Sequence, residues 1–530
     1  MIKDNPRCTF AIISHPDAGK TTMTEKLLWF GSVVRKTGMV KSKTGDFAKS
    51  DWMEMEKKRG ISITSSVMSF DYNTRSIHLL DTPGHKDFSE DTYRTLTAVE
   101  SVLMMIDSAK GVEEQTKKLM EVCRMRDTPI VTFMNKFDRE SLDPWELLED
   151  VEKTCSIQCC PITWPIGMGS DFIGVYHITE KRIYSFKDAK DPFSPNIIDA
   201  SDLTAKEVTT FIPENLLEKL NEDLELVTDL LPTLNKDEFL AGIQTPVFFG
   251  SALHNFGVKE VLDMVTSHCP GPLTFKAVIP PYNETAEIKT VSPGDKSFSG
   301  FVFKIQANMD KNHRDRIAFL RVCSGHFQRG EKYLHVRTGK EIKINTPILF
   351  QSRDRQITDS AEPGDIIGLN GNFQIGDTLT EGEKFLFTGI PRFAPEIFKR
   401  VILEDPLKAK QLDKGLTQLS EEGAVQMFTK ALGNEKILGA VGALQFDVVK
   451  FRIEDEYNVR GRYESINVAG IRWLQFPSKK RQKEFMNDYS SYIVFDRENR
   501  PCYAIRDMWE FNLVGEKNED IIFHNNSDLR

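Results

Sequence analysis

Short apolar runs and amphipathic stretches alternate along the chain up to about residue 275. Apolar runs bounded by turn residues are typical of buried strands, and apolar positions repeated every three or four residues are typical of helices. The pattern predicts helices from residue 23 onward and over 113–126, and strands over 9–13, 77–80, 102–106, 129–134 and 245–250. Strands that alternate with helices in this way indicate an open α/β sheet.

The pattern changes twice after this α/β region. Between about 296 and 385, short apolar runs follow one another with turn signals between them, which predicts a small β-barrel. From about 390 onward helix and strand signals mix, which indicates an α+β sandwich. We therefore predict a multidomain α/β protein with domains at 1–275, 296–385 and 390–530, and an insertion at 139–244 in the first domain.

Composition and charge limit the possible classes of protein. The chain has 530 residues, 40% hydrophobic and 28% charged, which suits about three or four ordinary globular domains. No segment is apolar enough to span a bilayer and no apolar leader precedes the first strand, so we expect a cytoplasmic protein without membrane attachment. The eight cysteines lack metal-like spacing, and the net charge of −9 argues against a generic basic nucleic-acid binder.

Local basic groups leave an RNA contact open. The predicted barrel carries Lys311, His313, Arg314 and Arg316 in a loop, and the last domain has a basic run at 479–483. Such groups can bind RNA phosphates. A solvated surface is the more common role of a charge run, and we favour it here.

The first candidate site lies between the first predicted strand and the helix that follows it. The sequence is close to the phosphate-binding pattern G-x-x-x-x-G-K-[ST], with Ser14 in place of the first glycine. Backbone N–H groups and the helix N-terminus can hold phosphates in such a loop. Lys20 would reach the β- and γ-phosphates, and Thr21 would offer its hydroxyl to Mg²⁺. The predicted nucleotide-binding residues are Ser14, His15, Pro16, Asp17, Ala18, Gly19, Lys20, Thr21 and Thr22.

A second candidate segment follows the strand at 77–80. It consists of Asp81, Thr82, Pro83, Gly84 and His85. Asp81 at a strand end suits Mg²⁺, with water as the expected bridge. Gly84 can bring its backbone N–H close to a γ-phosphate because it has no Cβ. The same run is common in simple turns, but its place after a second strand favours the nucleotide role.

Two further loops point to a guanine base. The first follows the strand at 129–134 and consists of Asn135, Lys136, Phe137 and Asp138. The Asp138 carboxylate can accept hydrogen bonds from guanine N1–H and the N2 amino group, a donor pair that adenine lacks. The second loop, whose backbone can cap guanine O6, consists of Ser251, Ala252 and Leu253. Four motifs in the required order, each after a strand, predict binding of GTP and GDP.

These motifs and several longer segments resemble the translational GTPases, and in particular the family of bacterial peptide chain release factor 3. The resemblance covers most of the chain and is weakest at about 170–240 and after about 480. The segments that carry it are 14–22, 50–56, 59–64, 87–94, 300–309 and 439–448.

The resemblance implies catalytic roles for His85, Lys20 and Gly84, with His85 orienting the attacking water. Pro16 and Ile61 stand where relatives place apolar residues that screen this histidine. No arginine finger is evident in the sequence. We therefore expect slow GTP hydrolysis by the chain alone and fast hydrolysis on a partner.

The resemblance also identifies the polar segment 31–66 as the first switch. Ser62 stands where relatives often carry a threonine that binds Mg²⁺, and a serine hydroxyl can do the same. Thr64 is the alternative. The implied metal ligands are Thr21, Ser62 and Asp81.

The function implied by the resemblance is a ribosome-bound GTPase of translation termination. It would promote dissociation of the release factors that read stop codons, after the peptide is freed, and we expect a monomer away from the ribosome. Two alternatives stay open. One is an elongation factor G-like or ribosomal protection GTPase, and the other is a ribosome-binding scaffold that GTP only gates. A metabolic or signalling GTPase would not need the barrel.

Overall fold

The computed structural model describes residues 7–36, 62–187, 189, 194–280, 286–307, 316–351, 354–390, 394–433 and 435–525. Most of the predicted first switch lies outside these ranges. So do Ile61, Lys311, His313 and Arg314.

Strands and helices are numbered here in chain order over the described residues. The strands are β1 (Arg7–Ser14), β2 (Ser66–Tyr72), β3 (Arg75–Asp81), β4 (Ser101–Asp107), β5 (Ile130–Asn135), β6 (Gln158–Pro161), β7 (Thr163–Ile166), β8 (Gly174–His177), β9 (Arg182–Ser185), β10 (Asn196–Asp199), β11 (Gln244–Phe249), β12 (Phe275–Val278), β13 (Ile288–Val291), β14 (Ser299–Ala307), β15 (Arg316–Ser324), β16 (Phe327–Gln328), β17 (Lys332–His335), β18 (Lys340–Lys343), β19 (Ile348–Gln351), β20 (Asp354–Ile357), β21 (Ser360–Ala361), β22 (Ile366–Asn370), β23 (Thr378–Thr380), β24 (Leu386–Phe387), β25 (Ile397–Leu403), β26 (Gln426–Lys430), β27 (Lys436–Ala440), β28 (Gly461–Ser465), β29 (Gly470–Gln475), β30 (Ile493–Asp496), β31 (Pro501–Ile505) and β32 (Ile522–His524). The helices are α1 (Lys20–Lys36), α2 (Ser89–Leu96), α3 (Glu114–Arg124), α4 (Pro144–Cys155), α5 (Lys206–Phe211), α6 (Glu214–Leu230), α7 (Lys236–Leu240), α8 (Val258–His268), α9 (Ala409–Glu421), α10 (Ala443–Tyr457), α11 (Lys479–Asp488) and α12 (Met508–Lys517). Short 3₁₀ helices cover Lys86–Phe88, Gly169–Asp171 and Pro406–Lys408.

The N-terminal unit is built on a sheet with the strand order β2-β3-β1-β4-β5-β11-β6. Its neighbouring strands are parallel except for β2 with β3. The side chains of β1 alternate between two apolar cores, since Ala11 and Ile13 enter one and Phe10 and Ile12 the other. A parallel sheet that is buried on both faces places the carboxyl ends of its strands at one edge. The predicted site loops follow β1, β3, β5 and β11 at that edge.

The range 139–244 contributes to two sheets. β6 extends the main sheet beside β11, whereas β7 to β10 form a separate antiparallel sheet. Strands β8 and β9 form an antiparallel hairpin within this separate sheet. Helix α6 buries Leu220, Asp223 and Val227, which lie on one helical face at spacings of three and four residues. An aspartate on this otherwise apolar face requires a hydrogen-bonding partner.

The second unit is rich in β-structure. Its main strands follow the order β18-β17-β23-β14-β15-β22-β19, and β19 continues the N-terminal sheet by pairing with β2 at Gln351 and Ser69. Arg316 is the first residue of β15 rather than a loop residue. Its guanidinium donates to the Phe373 carbonyl at 2.7 Å and also pairs with Glu421 of the third unit. Arg316 is therefore held by contacts within the chain.

The third unit combines an antiparallel sheet with helices. Its strand order is β28-β25-β27-β26-β30-β31-β29-β32. Helices α9 and α10 share an apolar core with β26 and β27, and α11 and α12 share another with β30 and β31. The basic run at 479–483 lies on α11, where Arg481 pairs with Asp520 at 2.8 Å. None of the helices in the described ranges is long and apolar enough to cross a membrane.

A buried polar network joins the first two units. Arg321 of β15 forms an ion pair with Glu100, and their side chains are 0% and 1% exposed. Arg321 also donates to the Thr9 hydroxyl at 2.7 Å. Nearby, Asp365 accepts from Arg7 at 3.0 Å and lies 3.0 Å from Nε2 of His78. Burial would raise the pKa of Asp365, but the His78 hydrogen bond and the Arg7 charge lower it to about 2.

Candidate nucleotide-binding site

The loop after β1 is shaped by two residues in left-handed backbone conformations. Asp17 has φ 65° and Gly19 has φ 97°. A Cβ on Gly19 would lie 2.2 Å from Nδ2 of Asn135, so only glycine fits there. Ser14 is buried, and its hydroxyl donates to the His15 carbonyl at 2.8 Å. The serine therefore directs its side chain to its own backbone at the position where the usual pattern has glycine.

Helix α1 begins at the end of this loop. The Met23 N–H donates to the Gly19 carbonyl at 3.0 Å, which is the first helical bond. The preceding N–H groups of a helix have no partner inside it, so they are available to an anion. Lys20 is buried, Ala18 is buried, and Thr21 and Thr22 are half-buried. The arrangement can hold phosphate oxygens at the helix N-terminus.

Asn135 connects three of the four loops. Its amide Nδ2 donates to the Ala18 carbonyl at 2.8 Å, and its Oδ1 accepts from the Ala252 N–H at 2.9 Å. The side chain is buried, so these bonds are shielded from water. Asn135 thus fixes the phosphate loop against the loop that follows β11. Sequence reasoning placed Asn135 in the site but did not foresee this bridging role.

Lys136 makes a second connection. It has φ 76°, and its ammonium donates to the Asp17 carbonyl at 2.6 Å and to Asp107 at 2.7 Å. Asp107 is the last residue of β4 and is buried. Sequence reasoning missed Asp107, although its place at the end of a strand beside the predicted site was a usable signal.

The segment after β3 lies against the phosphate loop. Asp81 ends β3, is buried, and stands opposite Ile12 in the parallel register. The Thr82 hydroxyl donates to the Ile12 carbonyl at 2.7 Å, which holds the segment beside β1. A Cβ on Gly84 would lie 3.0 Å from Nζ of Lys20 and 3.4 Å from Cα of Pro16. Gly84 is therefore packed directly over the lysine.

Pro83 and His85 complete this segment. The Pro83 carbonyl accepts from the Thr92 hydroxyl of α2 at 3.1 Å. His85 is the N-cap of the 3₁₀ helix that follows, and its Nδ1 accepts from the Asp87 N–H at 3.2 Å. The imidazole is about one-third exposed, so it can reach a ligand at the sheet edge. The same Nδ1 also lies 3.4 Å from a carboxylate oxygen of Asp87.

Asp87 links this segment to the third unit. Its carboxylate is buried and accepts from the Leu444 N–H of α10 at 2.7 Å. A Cβ on Gly442 would lie 2.0 Å from Cγ of Asp87, so glycine permits the approach. A carboxylate at a helix N-terminus is favoured by the helix dipole. Phe88 and Val448 pack together beside this contact.

The two candidate serine and threonine ligands of the first switch differ in their surroundings. Ser62 and Thr64 are both half-buried. Thr64 lines a cavity between the three units together with Lys304 and Arg452. At the same junction the Ser65 N–H donates to Asp91 at 2.6 Å. Burial would raise the pKa of Asp91, but the Lys304 and Arg94 charges outweigh it and lower the pKa.

The two loops predicted to bind guanine, 135–138 and 251–253, differ in how far their side chains are exposed. The Phe137 side chain is 0% exposed, so it contributes to the loop through its backbone rather than by touching a ligand. Its N–H donates to the Gly250 carbonyl at 3.1 Å, which joins the two loops. Ser251 and Ala252 are buried, whereas Leu253 is 56% exposed. Asp138 lies 3.9 Å from the exposed ring of His254.

His15 has a partner outside the phosphate loop. Its Nε2 lies 3.4 Å from a carboxylate oxygen of Glu113, the N-cap of α3. Lys110 lies 3.6 Å from the same oxygen. His15 thus connects the loop to α3, and the sequence did not reveal this pairing.

The residues fit a guanine nucleotide with Mg²⁺. A Cβ at Gly19 would clash with the Asn135 side chain, and a Cβ at Gly84 would approach Lys20 and Pro16. Both glycines therefore keep the loops close together around Lys20. Thr21 and Asp81 supply a hydroxyl and a carboxylate, the hard oxygen donors that Mg²⁺ prefers. Groups of three or more metal-ligating His, Cys, Asp or Glu do not occur within the described ranges. A Mg²⁺ ion that takes phosphate and water oxygens as well does not need such a group.

Three family models match consecutive parts of the chain. Residues 5–271 match the elongation factor Tu GTP binding domain, which is about half of the chain. Residues 297–382 match elongation factor G domain 2, and residues 387–515 match the C-terminal domain of class II release factor RF3. These matches, with the sheets described above, confirm the predicted multidomain fold class.

A solved structure of a protein from Thermus thermophilus has a similar fold. Its TM-score is 0.67 at 21% sequence identity, over 90% of this chain and 71% of that one. At this identity the similarity concerns the fold alone. It extends over all three units, because 90% of the chain is covered.

Proposed function

Since the chain belongs to the class II release factor RF3 family of translational GTPases, we propose that it acts on the ribosome at the end of protein synthesis. There it promotes dissociation of the release factors that read stop codons, after the peptide has been freed. The chain is a GTPase, and GTP hydrolysis resets it for another round. The match of 387–515 to the release-factor model carries this proposal, because a GTPase domain alone fits many functions.

The geometry of the four loops supports a role for each in binding the nucleotide. The N-terminus of α1 and Lys20 bind the phosphates, Gly84 offers its N–H to the γ-phosphate, and Asp138 reads the guanine edge. The backbone of the loop after β11 caps the guanine O6. This loop consists of Ser251, Ala252 and Leu253. Asn135 fixes the distance between the phosphate loop and the loop after β11. This fixed distance supports the assignment of both loops to one nucleotide.

Mg²⁺ completes the site, and Thr21, Asp81 and Ser62 would hold it. When bound, the ion neutralises charge on the β- and γ-phosphates. We favour Ser62 over Thr64 as the switch ligand, because Thr64 lines the cavity between the units.

His85 orients the attacking water and is held by Asp87 in the described structure. Because Nδ1 faces Asp87, Nε2 is the ring nitrogen that would face the water. The sequence has no evident arginine finger, which supports slow hydrolysis off the ribosome and fast hydrolysis on it.

GTP turnover measured with and without ribosomes tests the proposal. We expect slow turnover by the chain alone and strong stimulation by ribosomes. Equal rates in the two conditions would overturn the ribosome-dependent mechanism. With a non-hydrolysable GTP analogue, a recycling factor stalls after one round of release-factor dissociation, whereas a scaffold gated only by GTP binding continues to work.

A further inference from the structure

A single carboxylate in the range 139–244 receives two tryptophan N–H groups. Asp223 of α6 is 9% exposed. Its Oδ1 accepts from Nε1 of Trp145 at 3.1 Å, and its Oδ2 accepts from Nε1 of Trp164 at 3.1 Å. An indole N–H can only donate, so both tryptophans need an acceptor at this point. A carboxylate supplies one acceptor oxygen to each.

The two tryptophans begin a continuous series of aromatic contacts. The Trp145 and Trp164 rings lie 5.2 Å apart between centroids, and Trp164 lies 5.4 Å from Phe249. Phe249 meets Phe137 at 5.4 Å in an edge-to-face arrangement. Trp164, Phe249 and Phe137 are each 0% exposed, so the series is shielded from solvent.

The far end of this series supports both base-reading loops. Phe137 directly precedes Asp138, and Phe249 ends β11 two residues before Ser251. The loops are joined to each other by the Phe137–Gly250 backbone bond. The packed rings of Phe137 and Phe249 support both loops. A shift of Phe137 would move Asp138 relative to the base.

A cavity between α6 and the loop makes such a shift possible. It is lined by Phe137, Asp223, Met168 and Leu220, among others. Loss of the bonds that hold Trp145 and Trp164 would therefore leave space for the aromatic series to relax.

We infer that Asp223 is a positioning residue for guanine recognition, and that α6 tunes the affinity for guanine nucleotides through the two tryptophans. The carboxylate does not touch the nucleotide. It fixes the rings on which Asp138 and the loop after β11 rest. The inference rests on the proposed guanine-reading role of Asp138.

The test compares Asp223→Asn with Glu222→Gln, an exposed control on the same helix. An asparagine presents an N–H group to one of the two indoles, so one indole loses its acceptor. Dissociation of N-methylanthraniloyl-GDP is measured for each variant, together with competition by GDP and by IDP, which lacks the N2 amino group. We expect about tenfold faster GDP dissociation for Asp223→Asn and a smaller preference for GDP over IDP, the size expected for one lost hydrogen bond to a charged group.

A second variant separates positioning from folding. Asp223→Leu combined with Trp145→Phe and Trp164→Phe removes the acceptor and both donors together, so no polar group is left unpaired. We expect this variant to regain thermal stability but to keep the reduced preference for GDP, because the bonds that position the rings are still missing. If Asp223→Asn lowers thermal stability but leaves the GDP-to-IDP ratio at the wild-type value, the inference is wrong. If the wild-type chain itself does not distinguish GDP from IDP, the guanine-reading role of Asp138 fails instead.

Discussion

At the scale of single residues, the proposed role of His85 is to orient the attacking water. Its ring caps a 3₁₀ helix and is about one-third exposed, so it remains accessible to a ligand. We expect His85→Ala to lower ribosome-stimulated GTP turnover by at least about a hundredfold, as for a lost water-orienting group. GTP binding should be unchanged. His268→Ala, at the end of α8 and away from the site, is the matched control, and an equal loss in both variants would contradict the role of His85.

The proposed guanine-reading role of Asp138 predicts a change of base specificity. An asparagine at this position offers an amide N–H in place of one acceptor oxygen, which suits the O2 carbonyl of xanthine rather than the N2 amino group of guanine. We expect Asp138→Asn to weaken GDP binding by at least about a hundredfold and to strengthen XDP binding. Equilibrium titration with both nucleotides measures this. Glu140→Gln in the same loop should bind GDP like the wild type, and unchanged GDP affinity in Asp138→Asn would disprove the assignment.

The sequence predicted most of the residues in the loops, but not their side-chain partners. Strand-to-loop patterns identify Asn135 and Asp138 because the motif is local. The pairs of Trp145 with Asp223 and of Arg321 with Glu100 are separated by 78 and 221 residues. No local pattern marks such pairs. They exist because the fold brings distant buried polar groups together and each requires a partner.

At the scale of elements, α8 contains a carboxyl group that should respond to pH. Burial raises the pKa of Glu260 from its usual value to about 7, with Lys259 opposing this shift and Asp263 and Glu180 adding to it. A carboxyl whose folded pKa exceeds its unfolded pKa destabilises the fold once it ionises. Its contribution to stability is therefore lost as the pH rises from about 4.5 to about 7.

We expect Glu260→Gln to be more stable than the wild type at pH 8 by up to about 3 kcal/mol, and nearly equal to it at pH 4.5. Urea unfolding at several pH values measures the difference. Glu222→Gln, on the exposed face of α6, should show no such pH trend. A constant difference between Glu260→Gln and the wild type across this pH range would contradict the prediction.

Element boundaries were predictable where the apolar pattern was strong. The strand expected at 129–134 is observed as β5 and the helix expected over 113–126 as α3. The assignment of Arg316 to a loop was wrong, because the charged side chain starts a strand and is satisfied by Glu421 of another unit. Contacts between units cannot be read from the pattern of a single segment. The pairing of β19 with β2 is a further example.

At the scale of the whole molecule, buried polar contacts join the units. The ion pair of Arg321 with Glu100 connects the first two, and Asp87 connects the second candidate segment to α10. Removing one partner of a buried ion pair leaves an uncompensated charge. The first two units should therefore unfold together while this pair is intact.

We expect Glu100→Gln to lower the free energy of unfolding by about 3–5 kcal/mol, since Arg321 would remain buried without its counter-charge. The exposed pair of Arg329 with Asp359 supplies the control, and Asp359→Asn should change stability by about 0–1 kcal/mol. Denaturant unfolding followed by circular dichroism measures both. Equal effects of the two substitutions would show that the buried pair does not stabilise the joined units.

The proposed GTPase acts on release factors that remain bound to ribosomes after the peptide has been freed. The most direct measurement follows a fluorescent stop-codon-reading release factor on ribosomes from which the peptide has already been freed. With catalytic amounts of this chain and GTP, we predict accelerated dissociation of the release factor over many rounds, and a single round with a non-hydrolysable analogue. Dissociation at the same rate with and without the chain would contradict the proposed function.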